Sequence, residues 1–327
     1  VSSAVAATLI GETDSASPFN TFLGNLAGDS ATASSTNNVA IGNEALKAIS
    51  TGDYNIAMGY RALWVNTDGL SNTAIGRVAL QSNTASENVA IGSRAIYQNT
   101  TGTFNVAVGV ECMDDNTTGS SNTALGTFAL QRNTTASYNT AIGKEALEFN
   151  VTGENNTAVG YQALENSTAT GNTALGYLAG DTITSGANNI VIGASAAASL
   201  ATVSNEITLG NSSIATLRCQ VTTITSLSDR RDKDNITDLK AGLDFVNELR
   251  PVAFEWAMRD GGKVGQADTG FIAQDLQTAQ EITGIDIPDL VYAVNPEKLE
   301  AGYGKLIPVL VKAIQELSAE VEALKSK

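Results

Sequence analysis

The hydrophobic and polar positions of the first two-thirds of the chain recur with a period of about 17 residues. Each unit contains a pentapeptide such as "NVAIG" or "NTALG", in which small and aliphatic residues alternate and a glycine closes the run. The closing glycines are Gly24, Gly42, Gly59, Gly76, Gly92, Gly109, Gly126, Gly143, Gly160, Gly176, Gly193 and Gly210. This regularity predicts a solenoid built from stacked short strands.

Each pentapeptide is too short to be stable as an isolated strand, so stacking must stabilise it. An asparagine stands four residues before eleven of the twelve glycines, and Glu206 takes its place in the last unit. We expect the aliphatic residues to point inward and each asparagine to lie above the asparagine of the previous coil. Side-chain amides stacked in this way can form hydrogen-bonded ladders. The predicted ladder is Asn38, Asn55, Asn72, Asn88, Asn105, Asn122, Asn139, Asn156, Asn172 and Asn189.

A corner glycine allows positive φ, and a second segment such as "EALKAI" (44–49) adds another inward aliphatic residue before a turn such as "NTTG". The predicted fold is mainly a β-solenoid, a parallel β-roll or β-helix. Twelve coils at a strand spacing of about 4.8 Å would form a rod roughly 55 Å long. Because so narrow a coil has little interior, we expect it to wrap with sister chains.

The pattern changes near residue 216. Residues 1–217 carry 6 basic and 16 acidic side chains, whereas residues 218–327 carry 13 and 18 in half the length. We therefore predict five segments. They are an N-terminal connector (1–19), the repeat shaft (20–215), a junction (216–227), a small α+β domain (228–305) and a C-terminal helix (306–327).

Helical spacing of Leu239, Leu243, Val246 and Leu249 predicts an amphipathic helix over 237–250, which stops before Pro251. A strand over 251–258, a hairpin turn over 259–263 and a strand that continues into a helix over 269–282 follow. The glycines at 261, 262 and 265 lack the strand-then-helix context of a phosphate-binding loop.

Apolar residues of the last helix alternate by three and four, which favours a coiled-coil seam. The alternative is a terminal helix that packs on its own domain. β-branched residues at one seam position and leucine at the other favour two strands in parallel coiled coils, so the seam alone does not establish a trimer. The seam residues are Ile307, Leu310, Ile314, Leu317, Val321 and Leu324.

Composition removes several functional classes. A net charge of −15 disfavours nucleic-acid binding, since that binding depends on cations that neutralise phosphates. No apolar run approaches the roughly 18 to 20 residues of a membrane span. The chain has no histidine, and Cys112 and Cys219 match no metal or haem spacing, so we predict no metal and no cofactor.

Three surface patterns of the repeats suggest ligand roles. Sequons occur at Asn99, Asn116, Asn133, Asn150 and Asn166, but the turn chemistry of asparagine and threonine explains them better than glycosylation. Acidic residues such as Glu44, Asp114, Asp115, Glu145 and Glu165 recur at surface positions, which favours solvated charges over a glycosidase pair. Tyr54, Trp64, Tyr97 and Tyr138 suit either a sugar-binding stripe or packing between chains.

The repeats resemble the "NSVAIG" head repeats of trimeric autotransporter adhesins and the "NTAIGxxAL" arrays of phage tail-fibre shafts. Further along, "SLSDRRDKDNI" (226–236), "GFIAQDL" (270–276) and "YGKLIPVLVKAIQEL" (303–317) occur together. In this order they resemble the self-cleaving intramolecular chaperone domain of phage endosialidase tailspikes, tail fibres and certain membrane-bound transcription factors. That resemblance implies a homotrimer whose C-terminal domain folds the fibre and then cuts itself off.

The same resemblance places the catalytic serine at Ser228, the catalytic lysine at Lys233 and the scissile bond between Leu227 and Ser228. In a chain without histidine, lysine is the available base, provided that its pKa falls from about 10.4 to roughly 7 to 8. A separation of five residues puts the two side chains on different faces of a helix and opposite faces of a strand. The pair therefore requires a bent loop, or a lysine from a neighbouring chain.

Asp229, Arg230, Arg231 and Asn235 are the predicted supporting groups. Neighbouring arginines disfavour a protonated lysine and neighbouring aspartates favour it, unless the aspartates are paired with the arginines.

The leading functional prediction is a homotrimeric tail-fibre or tailspike segment. Its expected partners are a host-surface receptor, either a glycan or an outer-surface protein, and other virion tail proteins that bind its N-terminal end. We expect it in the virion tail. The alternatives are a trimeric adhesin on the bacterial surface and a polysaccharide depolymerase.

Overall fold

The computed structural model describes residues 19–214, 216–218, 228–258 and 263–326. The chain divides into two compact units, with the boundary between Asn211 and Ser212. Most of the predicted N-terminal connector and most of the predicted junction lie outside the described residues.

The first unit is a β-solenoid of about 11 turns, which confirms the predicted fold class. Its twelve strands, each of three residues, form one sheet in sequence order, and every neighbouring pair is parallel. The strands are β1 (Thr21–Leu23), β2 (Val39–Ile41), β3 (Ile56–Met58), β4 (Thr73–Ile75), β5 (Val89–Ile91), β6 (Val106–Val108), β7 (Thr123–Leu125), β8 (Thr140–Ile142), β9 (Thr157–Val159), β10 (Thr173–Leu175), β11 (Ile190–Ile192) and β12 (Ile207–Leu209).

The interior consists of small and aliphatic side chains stacked in columns. The middle residue of each central strand, such as Ala124, is completely buried, and so are Ala129 and Leu130 after the corner. The prediction that the aliphatic residue of each pentapeptide points inward is therefore wrong. Successive strand residues face opposite sides, so burial of Ala124 leaves Leu125 on the outer side, 46% exposed. Leu130 has a φ of +51°, and the equivalent residue has a left-handed conformation in nine other coils, where it is a non-glycine residue in seven and glycine in two. That conformation costs about 1–2 kcal/mol for an L-residue, whereas complete burial of a leucine contributes about 1.5–3 kcal/mol. Burial therefore offsets the backbone cost in each coil.

Two features make glycine necessary at the corners: a positive φ and close contact with the glycine of the next coil. Gly126 has a φ of +138°, and a Cβ added there would lie 2.5 Å from the carbonyl oxygen of Gly143 in the next coil. No side chain fits in that gap, so the glycine column sets the stacking distance at the corner.

The ladder asparagines are all buried, and their main bonds run to the backbone. The side-chain oxygen of Asn122 accepts the N–H of Asn139 at 2.9 Å, and its amide donates to the carbonyl of Ala136 at 2.9 Å. Direct amide-to-amide bonds, such as Asn122 to Asn105 at 3.2 Å, occur at some steps. Each asparagine thus satisfies buried backbone groups that the strands leave unpaired.

A second column of buried asparagines lies seven residues after the corner glycines. Asn99 donates to Asn83 at 2.6 Å, Asn116 to Asn99 at 2.9 Å and Asn133 to Asn116 at 2.7 Å. The sequons at Asn99, Asn116, Asn133 and Asn150 therefore carry buried side chains, whereas Asn166 is exposed. Interior hydrogen bonding explains these four asparagines.

The second unit is a small mixed domain. Its elements are a 3₁₀ turn (Arg230–Asp232), α1 (Leu243–Asn247), β13 (Val252–Glu255), β14 (Ala267–Gly270), α2 (Ala273–Thr283), β15 (Val291–Tyr292), β16 (Glu300–Ala301), a second 3₁₀ turn (Tyr303–Lys305) and α3 (Leu306–Lys325). Strands β13 and β14 are antiparallel, as the predicted hairpin requires, and their connecting residues 259–262 lie outside the described residues. Phe245, Leu276, Leu290, Leu306 and Val309 form its core.

The predicted helix over 237–250 is wrong in extent, because only Leu243–Asn247 is helical. Gly242 precedes the helix with non-helical φ and ψ and is packed against the side chain of Glu316. That carboxylate accepts the N–H of Leu243 at 2.7 Å, so Glu316 of α3 caps the N-terminus of α1. Phe245 is the buried anchor, whereas the predicted core residue Leu239 is exposed.

Candidate functional site

The segment that contains Ser228 is a short, exposed turn. Asp229 has an extended backbone and caps the 3₁₀ turn Arg230–Asp232, and Lys233 returns to extended geometry. The N–H groups of Asp232 and Lys233 donate to the carbonyls of Asp229 and Arg230, each at 3.2 Å. The turn reverses the chain within five residues.

This reversal brings Ser228 and Lys233 together in one chain. Lys233 Nζ donates to Ser228 Oγ at 2.7 Å, and both side chains are exposed. Of the two arrangements that the spacing left open, the structure has the bent loop. Leu227, on the other side of the predicted scissile bond, lies outside the described residues.

Asp229 and Arg231 form a two-point ion pair beside this contact. Arg231 Nη2 lies 2.6 Å from Asp229 Oδ2, and Arg231 Nε lies 3.1 Å from Asp229 Oδ1. The Arg231 side chain, and then its backbone N–H, hold the pKa of the Asp229 carboxyl below its usual range. Arg230 is exposed, and Asn235 has a φ of +52°, a conformation that asparagine tolerates in turns.

Helix α3 has two apolar faces. Leu306, Val309 and Ala313 are buried in the second unit. The six predicted seam residues are all exposed in the single chain, from 40% for Val321 to 69% for Leu324. Self-packing thus accounts for one face of the helix, whereas the predicted seam lies on the exposed face and its coiled coil stays a prediction.

Many of the charged side chains of the shaft, and some of its aromatic ones, share one face, formed by the residues one to six positions after each corner glycine. We call it the charged face. Arg61 lies 5.0 Å from the ring centres of both Tyr60 and Trp64, and Arg94 lies 4.5 Å from that of Tyr97. All six basic residues of 19–214 are on it: Lys47, Arg61, Arg77, Arg94, Arg132 and Lys144.

The four aromatic residues singled out in the sequence do not form one stripe. Trp64 and Tyr97 are half-buried beside arginines on the charged face. Tyr54 and Tyr138 instead precede ladder asparagines and are more than 60% exposed. The four residues therefore lie in two separate columns, and a sugar-binding stripe would be formed by one of the two.

Three carboxylates converge on the charged face. Glu145, Glu148 and Glu165 bring one oxygen each within 4.8 Å of the others, a spacing that a cation could bridge. Burial is the largest cause that raises the pKa of Glu148 and of Glu165, whereas a hydrogen bond from Lys144 lowers the pKa of Glu145. The absence of a metal site stays a prediction. Within the described residues, none of the helices is both long and apolar enough to cross a membrane.

Residues 228–292 match the family model described as chaperone of endosialidase. That family consists of self-cleaving intramolecular chaperone domains. The match begins at Ser228 and contains Lys233 and α2. Searches of curated proteins and of solved structures each gave no significant match.

Proposed function

We propose that this chain is a segment of a homotrimeric phage tail fibre or tailspike whose C-terminal unit promotes trimeric folding and then cleaves the Leu227–Ser228 bond once. The observation that carries the proposal is the 2.7 Å contact between Lys233 Nζ and Ser228 Oγ, at the start of the region that matches the chaperone family.

In the proposed reaction, Lys233 as a neutral amine accepts the hydroxyl proton of Ser228. Ser228 Oγ then attacks the carbonyl carbon of Leu227, so that a C–O bond forms and the C–N bond of the same peptide breaks. The departing amine of Ser228 takes up the proton. Water hydrolyses the resulting ester, which releases Leu227 as a carboxylate and regenerates the Ser228 hydroxyl.

Two exposed aliphatic surfaces support assembly with copies of the same chain. One is the seam of α3. The other is a row along the outer side of the sheet, in which Met58, Ile75 and Ile91 are each 37% exposed and Leu125 is 46% exposed. Extended apolar surfaces of this kind mark contacts with other chains, and the family resemblance implies three copies.

For the shaft we propose reach and contact with a host-surface receptor, a glycan or an outer-surface protein, while the N-terminal end joins other virion tail proteins. The charged face supports this role, because cations beside aromatic rings suit ring-shaped polar ligands. The proposed location is the virion tail.

The proposal is tested by expression of the full chain with Ser228→Ala or Lys233→Ala. The unsubstituted chain should give fragments of about 227 and 100 residues, while both variants should remain intact and trimeric, since each lacks one member of the reacting pair. Mass spectrometry and sedimentation measure the two outcomes. Cleavage of Ser228→Ala at the same bond would contradict the assignment.

A polysaccharide depolymerase is a second candidate, because Glu145, Glu148 and Glu165 have pKa values displaced in opposite directions, as an acid and a nucleophile require. Reproducible oligosaccharide products that disappear with Glu148→Gln would favour it over a binding shaft. A bacterial surface adhesin is the third, and retention on the cell surface rather than in virions would identify it.

A further inference from the structure

We propose that Asp229 and Arg231 are a positioning pair for Ser228 and Lys233: Asp229 caps the turn that brings the two side chains together, and Arg231 binds the Asp229 carboxylate. This inference rests on the proposed autocleavage and adds two residues whose role the family match does not assign.

The first argument is the source of order in the turn. None of the residues Arg230–Asp232 is buried, and no other described helix or strand packs closely against them. The Ser228–Lys233 contact therefore depends on bonds within the segment. Asp229 Oδ1 accepts the N–H of Arg231 at 2.9 Å and so supplies a partner for an otherwise free donor at the start of the turn.

The second argument is electrostatic. The charged groups of this segment are Asp229, Arg230, Arg231, Asp232, Lys233 and Asp234. A free carboxylate next to Ser228 would favour the ammonium form of a nearby lysine, and that form cannot accept the serine proton. Arg231 donates to both oxygens of Asp229, at 2.6 and 3.1 Å, and so offsets the negative charge of this carboxylate. The pairing matters because the proposed reaction needs Lys233 as a neutral amine.

The third argument separates positioning from stability. The Arg231 side chain is 88% exposed, and exposed ion pairs contribute little to folding. Loss of the pair should therefore leave the second unit folded and change the reaction instead. Arg250 in the same unit, whose side chain is 74% exposed and lies 3.5 Å from Asp275, offers a comparison arginine.

The test measures cleavage of the full chain, made by cell-free translation and diluted into buffers from pH 6 to 10. Arg231→Ala removes a cation and frees Asp229, so the pH at which cleavage is half-maximal should rise by about one unit. Asp229→Asn keeps an oxygen for the cap and leaves Arg231 unpaired, so its midpoint should equal that of the unsubstituted chain or lie below it.

The double variant Asp229→Ala/Arg231→Ala removes both charges and the cap. Its midpoint should return close to that of the unsubstituted chain, while its maximal rate should fall on the order of tenfold or more because the contact is no longer held. Arg250→Ala should match the unsubstituted chain in both quantities.

An unchanged midpoint in Arg231→Ala, or an unchanged maximal rate in the double variant, would overturn the positioning pair. Ser228→Ala is included in the same series. If it still cleaves, the proposed function fails; if it does not and the Asp229 and Arg231 variants behave as the unsubstituted chain, the further inference alone fails.

Discussion

The shaft and the C-terminal unit bury their apolar residues in different ways. In the shaft, Ala124, Leu130 and Asn122 are completely buried by the equivalent residues of adjacent coils, so one chain completes its own interior. In the C-terminal unit a core around Phe245 and Leu306 holds α1, α2 and α3, while the seam of α3 stays exposed. The shaft therefore buries its inward-facing residues within one chain, whereas the C-terminal unit buries only one apolar face of α3.

This difference indicates how folding could proceed. A solenoid coil contacts only its neighbours, so the shaft needs a nucleus before coils can add to it, and parallel sheets form slowly. Helices with mostly local contacts form faster. We therefore expect the C-terminal units to associate first through α3 and to hold three shafts in register while their coils form.

The largest expected effect comes from a corner glycine. Gly126→Val would place side-chain atoms against the carbonyl of Gly143, at a backbone φ of +138° that valine avoids. We expect a loss above about 4 kcal/mol in shaft stability, since neither coil can move without breaking its ladder bonds. Denaturant unfolding and limited proteolysis of the shaft measure this loss.

Gly171→Ala is the matched control. Gly171 also has positive φ, +76°, but the nearest atoms to an added Cβ are 3.8 Å away. Only the left-handed backbone cost of about 1–2 kcal/mol should remain. Equal losses in the two variants would show that close stacking at the corner is not what makes glycine necessary.

The next effect breaks assembly without breaking the fold. Ile314→Asp with Leu317→Asp places two charges on the exposed seam, so the chain should sediment as a monomer while its helical circular dichroism persists. Gln315→Asp, at an exposed position on the other side of α3, should leave the proposed trimer intact. A trimer that persists in the double variant would show that the seam of α3 is not needed for assembly.

The smallest effect concerns Cys112, which is completely buried in the shaft. Burial raises the pKa of its thiol to about 12. Because the folded pKa lies above the unfolded value near 9, this thiol stabilises the shaft below pH 9 and progressively less above it.

At pH 10, one unit above the unfolded pKa, the loss should be about 1.4 kcal/mol. The stability advantage of the unsubstituted chain over Cys112→Ala, measured by urea unfolding, should therefore shrink by that amount between pH 8 and pH 10. An advantage that does not change with pH would mean that Cys112 ionises equally in both states.

The solenoid could be predicted from sequence because its period, its glycines and its ladder asparagines each express a contact with the next coil. The positive φ of the interior leucines could not be predicted from sequence. Leu130 has no intrinsic preference for positive φ, and it adopts this conformation because only then does its side chain point into the interior of the coil. The second asparagine column carried a signal, a fixed offset of seven from the glycine, but the threonines beside it pointed to turns.

The candidate site was predictable as residue types and not as geometry. Ser228 and Lys233 are five residues apart, and only a turn capped by Asp229 brings them together. The predicted extent of the helix over 237–250 was wrong for a long-range reason. Its start is determined by Glu316, 73 residues beyond Leu243, and no local pattern reports such a partner.

The asparagine ladder also determines how the shaft can change length. The N–H of Asn88 donates to Asn72 Oδ1, 16 residues earlier, at 3.0 Å, and the N–H of Asn122 donates to Asn105 Oδ1, 17 residues earlier, at the same distance. The length of this hydrogen bond therefore does not change when a coil is one residue shorter. Removal of a whole unit would rejoin the ladder and shorten the shaft by about 4.8 Å. Removal of one strand residue would turn every later side chain in that strand to the other face. The shaft can therefore be lengthened or shortened only in whole coils, so its reach is a trait inherited in discrete steps.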